Sequence, residues 1–180
     1  MAEQIPFWNV SRASGIIAYL LLWLSVVWGL LITNKMSQSF GALAVVDLHE
    51  FVSLLGLAFA LVHVAVLLGV RYIQYTPLQI VVPFTSWNYE PFWVGLGQIA
   101  FYLLIPVTFS FYVRRWIGYN AWRWIHYGSF ITYSLVTVHS LLAGTDTKTL
   151  AMFLMYAATG AVVFFLTLYR VFTMAGTRTA

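Results

Sequence analysis

The chain contains no cysteine. That excludes disulfides, thiolate-bound haem and cysteine-held iron–sulfur clusters. Charge is almost as scarce: charged residues make up 8% of the 180 residues, against 62% hydrophobic ones. A soluble domain of this length needs far more charge to cover its surface. A Gly-rich dinucleotide fingerprint is also missing, and "GLG" at 95–97 opens an apolar run, where small residues serve helix packing. The net charge of +4 does not point to nucleic acid, because the basic residues sit at the edges of apolar runs.

What the chain does have is apolar length. A helix crossing a bilayer needs about 20 apolar residues. Five runs reach this, at roughly 12–33, 47–70, 93–113, 122–143 and 149–172. They predict an all-α integral membrane protein: one domain over 1–180, built as a five-helix transmembrane bundle. The first run is too long for a signal-peptide core, and the residues before it are mixed in charge. With the N-terminus outside, the inner segments hold Lys35, Arg114, Arg115, Arg123, Arg170 and Arg178, and the outer ones Arg12, Arg71 and Lys148. Positive residues collect inside, so the N-terminus is expected outside and the C-terminus in the cytoplasm. Trp8, Trp87, Tyr89 and Trp93 then mark the outer border, and Trp116, Tyr119, Trp122 and Trp124 the inner one. Pro77, Pro83 and Pro91 predict an irregular outer connection with a short interfacial piece, and Pro106 predicts a kink in the third span.

All four histidines fall in two of the runs, His49 and His63 in the second and His126 and His139 in the fourth. An ionisable residue inside a span points to function, although a lone histidine often does no more than hydrogen-bond a neighbouring helix. Four of them, paired two and two, suit that plain role poorly. The two spans run parallel, so His49 and His126 lie at one depth and His63 and His139 at another, roughly 20 Å apart by helical rise. Each layer offers one imidazole from each of two helices, an arrangement suited to the axial ligands of an iron porphyrin. A zinc or copper site fits poorly, since each layer has two nitrogens and no converging carboxylate. A proton relay would need acids along the path, whereas the carboxylates cluster at the edges. No inverted repeat favours a transporter.

Helix phase is uneven. Fourteen residues bring His49 and His63 onto one face, but thirteen leave His126 and His139 about 140° apart on an ideal helix. A tightened turn, or ligands set on different sides of that helix, would reconcile them. With both axial positions filled, such a centre favours electron transfer over oxygen binding at iron. Haem propionates call for cations, and Arg123 is placed for the inner layer and Arg12 and Arg71 for the outer. Each of these is equally placed to be an interface anchor.

The two histidine pairs, in spans separated by one other span, resemble the ferric reductase-like transmembrane domain, the membrane core of NADPH oxidases and ferric reductases. "SRASG" at 11–15 is similar to the arginine-containing start of the corresponding helix. The resemblance implies two b-type haems, one on His49 and His126 and the other on His63 and His139, with Arg12 near the outer one. It implies an oxidoreductase component of a bacterial inner membrane, and a small bacterial haem-binding partner of periplasmic methionine sulfoxide reductase is similar in size. The large members carry a flavin- and NADPH-binding domain after the last span. "PFTS" at 83–86 is similar to a flavin motif of that domain, but its place in the outer connection makes it a chance match. The electron donor is therefore expected to be a separate flavoprotein, a reduced flavin or a quinol, and the acceptor a protein or small molecule outside. The alternative is a quinol-interacting cytochrome b anchor subunit of a larger complex, without independent activity.

Overall fold

A computed structural model describes residues 4–34, 36, 42–71 and 73–176. They form α1 (Gln4–Thr33), α2 (Ala42–Leu67), α3 (Pro77–Val81), α4 (Pro91–Ile117), α5 (Tyr119–Ala143), a 3₁₀ turn (Thr145–Lys148) and α6 (Leu150–Gly176), with no strand among the described residues. Four helices are long and apolar enough to cross a membrane, within Phe7–Thr33, Ala44–Leu67, Pro91–Ile117 and Leu150–Thr173. This is a membrane protein. The fourth run folds as expected into α5, of 25 residues. It has the length to span, but Asn120, Arg123, His126, His139 and its hydroxyl residues leave it less apolar than the others. Lys35 and Arg178, two of the cations used to orient the chain, lie outside the described residues.

Surface and interior are arranged for lipid. Ser11, Ser14, Ser25, Ser110, Thr132 and Thr159 are buried between helices, while Phe51, Phe109, Phe153, Phe164 and Phe165 face outward. Small polar residues let membrane helices approach closely and bond across the gap. The core gathers Tyr19, Leu22 and Val26 of α1 with Leu57 of α2, Leu104 of α4, Tyr133 of α5 and Tyr156 of α6. Its hydroxyls are mutually satisfied: Tyr19 Oη lies 2.6 Å from Thr159 Oγ1 and 3.3 Å from Tyr133 Oη. Unpaired polar groups in hydrocarbon cost several kcal/mol, so this pairing is what permits Tyr19 and Tyr133 at the centre.

Packing is densest within two helical hairpins, α1 with α2 and α4 with α5, and α6 lies along α1. The second hairpin turns on Gly118 alone, at φ +84°, a conformation that glycine adopts without strain. α4 runs as one helix through Pro106. The connection between α2 and α4 contains the expected short piece, α3, started by a capping box between Thr76 and Gln79. It is tied down by Gln98 Nε2, which donates to the carbonyls of Gln79 and Ile80 at 2.7 Å each, and by Tyr89 Oη, which donates to the Ala143 carbonyl at 2.6 Å.

Candidate functional site

The four histidines meet in the two expected pairs. His49 of α2 faces His126 of α5 with ring centroids 6.0 Å apart and planes at 74°. His63 of α2 faces His139 of α5 at 6.4 Å and 71°. Two metal–imidazole bonds of about 2 Å in line, with part of a ring on each side, span about 6 Å. Both pairs therefore have the separation of two imidazoles sharing one metal ion from opposite sides. Among the described residues no three His, Cys, Asp or Glu side chains converge, so the pairs remain pairs. α5 is an unbroken α-helix, with no tightened turn between His126 and His139. The two rings thus leave α5 from different flanks, as thirteen residues require.

Second contacts fix the ring orientation in the outer pair. His63 Nδ1 lies 2.8 Å from the Ser11 carbonyl of α1, and His139 Nδ1 lies 2.9 Å from the Trp93 carbonyl of α4. A carbonyl accepts only from N–H, so each Nδ1 carries the proton and each Nε2 keeps its lone pair. That is the tautomer of a metal-ligating histidine held by a backbone acceptor. The inner pair is held more loosely. His49 Nδ1 is 3.5 Å from Ser25 Oγ, and His126 Nδ1 is a buried nitrogen with no partner among the described residues.

Glycines seat three of the four rings. A Cβ on Gly15 would meet His63 Nδ1 at 2.9 Å, one on Gly97 would meet His139 Nδ1 at 2.6 Å, and one on Gly29 would meet His49 Cε1 at 3.5 Å. Gly15 and Gly29 are fourteen residues apart on α1, as His63 and His49 are on the antiparallel α2. On α4 the position thirteen after Gly97 is Ser110, small and buried, matching the thirteen-residue spacing of α5.

The outer pair opens on a cavity of about 450 Å³, mostly apolar, with His63, His139, Tyr19, Tyr156, Arg12 and Asp146 in its wall. The connection covers its outer end with Ile73, Tyr75 and Tyr89. Burial pushes the Tyr75 phenol above its usual pKa, so it stays protonated there. Arg12 is placed in this wall as expected, but its guanidinium donates to both oxygens of Asp146, with Nε 2.8 Å from Oδ2. Asp146 is the one carboxylate lining the cavity among the described residues, and its distance in sequence from Arg12 hid the pairing. Arg71 is exposed in the turn after α2 and does not line the cavity. Arg123, expected to serve the inner layer, is exposed and donates instead to Tyr127 Oη at 2.6 Å, one helical turn on. Glu50, on another face of α2 from His49, accepts from Tyr112 Oη at 2.5 Å.

The residues fit the group that the histidine pattern implies. Paired imidazoles stand at the right separation in both layers, and at His63 and His139 the ring orientation is fixed and the adjoining cavity is mostly apolar. No protein family, curated protein or solved structure matches the chain.

Proposed function

We propose that this protein is a di-haem b-type cytochrome of a bacterial inner membrane, ferric reductase-like in plan, with α5 as its fifth span. It passes electrons from a donor on the cytoplasmic side to an acceptor outside. The observation that carries the reading is the pair of imidazole pairs, at 6.0 and 6.4 Å, in two layers of one bundle. His49 and His126 hold the inner group, and His63 and His139 the outer. Bound haem supplies reversible one-electron chemistry. The chain's own work is to orient and to exclude. The Ser11 and Trp93 carbonyls hold the outer rings in the ligating tautomer. The apolar cavity wall would exclude water from a bound group and lower the local dielectric, and Arg12 brings a cation to the same cavity, balanced by Asp146. His49 with His126 and His63 with His139 would each supply two ligands to a bound group, which suits electron conduction rather than oxygen binding.

The test is an absorption spectrum of purified protein with and without dithionite, with a pyridine haemochrome titration. Two haems per chain are expected. His63→Ala should remove one and leave the other, and His49→Ala should do the same for the inner layer. A chain that binds no haem, or a His63→Ala variant that keeps both, refutes the proposal.

A further inference from the structure

The inner histidine pair connects to the surface. Trp122 stands one turn before His126 on α5 and stacks on it, with centroids 5.5 Å apart and planes at 26°. Tyr119 follows at 5.4 Å from Trp122 and is 62% exposed. Three rings therefore run in van der Waals reach from the α4–α5 turn to His126, and His49 lies 6.0 Å beyond. Around the foot of this stack are Arg114, Arg115 and Arg123, all exposed. Each guanidinium rests near an aromatic face: Arg114 at 3.8 Å from Phe111, Arg115 at 5.2 Å from Trp116, and Arg123 at 5.6 Å from both Tyr119 and Tyr127. The hairpin has no acid of its own, since no Asp or Glu occurs between Glu90 and Asp146. Glu50 of α2 accepts from Tyr112 of this hairpin. A one-residue turn at Gly118 fixes the spacing of the three cations.

Arg and aromatic side chains are the residues that protein interfaces favour, and a preordered cationic patch steers an acidic partner. Anionic lipid headgroups would account for the arginines alone, as ordinary interface anchors. A membrane border accounts for the aromatics as such, but it does not require that two of them stack in line towards a histidine pair. We infer that the α4–α5 turn is the docking face for an acidic electron-donor protein, which meets the protein at Tyr119 and Trp122. The inference rests on the proposed conduction role and narrows its donor to a protein. In the transfer the donor is oxidised by one electron and the centre held by His49 and His126 is reduced by one. No bond and no proton changes at Trp122, which acts as a contact that shortens the gap and as a positioning residue for the His126 ring.

The experiment uses the full chain in nanodiscs of zwitterionic lipid, so that lipid charge plays no part. The probe is flavodoxin, a small acidic flavoprotein, with binding followed by thermophoresis. Binding is expected at low salt and should weaken about tenfold or more at several times the ionic strength. The triple variant R114E/R115E/R123E should raise Kd about tenfold or more. If that variant fails to fold, Arg115→Gln and the salt dependence of the unmodified chain carry the same test. Trp122→Leu should slow reduction of the loaded protein by reduced flavodoxin about tenfold or more even when flavodoxin is saturating, so that the loss is read in transfer and not in binding. Docking is overturned if the unmodified chain does not bind, if the charge variants bind within twofold of it, or if they lose affinity only for anionic vesicles. Binding needs no haem, so charge-dependent binding by a chain that takes up no haem would sink the conduction reading and keep the docking face.

Discussion

Gly97 offers a sharp test of how the outer ligand is seated. A methyl group there would stand 2.6 Å from His139 Nδ1 and 2.8 Å from its Cγ and Cε1, closer than carbon packs against a ring. The ring has little room to yield, because its Nδ1–H is held at 2.9 Å by the Trp93 carbonyl on the turn just before Gly97. Gly97→Ala therefore forces overpacking, at about 1–3 kcal/mol, and breaks a buried hydrogen bond worth about 0.5–1.5 kcal/mol. Alanine's better helix propensity returns up to about 1 kcal/mol. The net loss is about 1–3 kcal/mol, in line with the roughly 10–100-fold loss of metal affinity that follows damage to a ligand's supporting contact. Two other glycines serve as controls. On Gly29 the added carbon meets His49 Cε1 at 3.5 Å, an ordinary contact, and on Gly160 it meets nothing within 4 Å. Haem content by pyridine haemochrome and Tm in detergent are the readouts. Gly97→Ala should fall to about one haem per chain with a lowered Tm, Gly29→Ala should stay near two, and Gly160→Ala should gain about 0.5–1 kcal/mol. A Gly97→Ala protein that matches Gly29→Ala in both readouts refutes the seating argument.

Further expectations concern the centre, the outer rim and the orientation. Tyr19→Phe removes a hydroxyl 2.6 Å from Thr159 Oγ1 and should cost about 0.5–1.5 kcal/mol in detergent unfolding while haem content stays unchanged. A double-mutant cycle of Arg12→Ala and Asp146→Ala should give a coupling of about 1 kcal/mol or less, because both side chains are partly exposed and solvent screens the pair; a coupling several times larger would mean the pair is desolvated. Orientation is open to cysteine scanning, since the chain has no cysteine to remove first. Trp87→Cys should react with an impermeant maleimide on intact cells, and Asn120→Cys only after the membrane is opened. The opposite pattern would invert the bundle.

The histidine pairs were legible because spacing along a helix converts directly to depth and face. His49, His63, His126 and His139 needed only the rise per residue and the parallel course of two spans to be sorted into layers. The short piece in the outer connection was signalled by Pro77. The role of the glycines is hidden in the sequence, although the fourteen-residue step from Gly15 to Gly29 repeats the His49–His63 interval. Arg12 was placed at the right rim, but its partner Asp146 is 134 residues away, and only packing of α1 against the turn before α6 brings them together. Arg123 was assigned by its turn relative to His126, and there local chemistry prevailed: Tyr127, four residues on, offers a hydroxyl on the same face. The Trp122–His126 stack is the same four-residue relation, and a border aromatic in sequence gives no sign of it.

The division into two hairpins has a mechanical consequence. Each layer takes one imidazole from the α1–α2 hairpin and one from the α4–α5 hairpin, so neither hairpin holds a complete ligand set. Under the proposed function, every iron bolts one half of the protein to the other, at two heights. The halves resemble the two jaws of a vice, joined at one end by the connection around α3 and along one side by α6 against α1. Loading is then an assembly event as much as a chemical one. The shared core already joins the two hairpins, and the bound groups would add two further ties across the same seam.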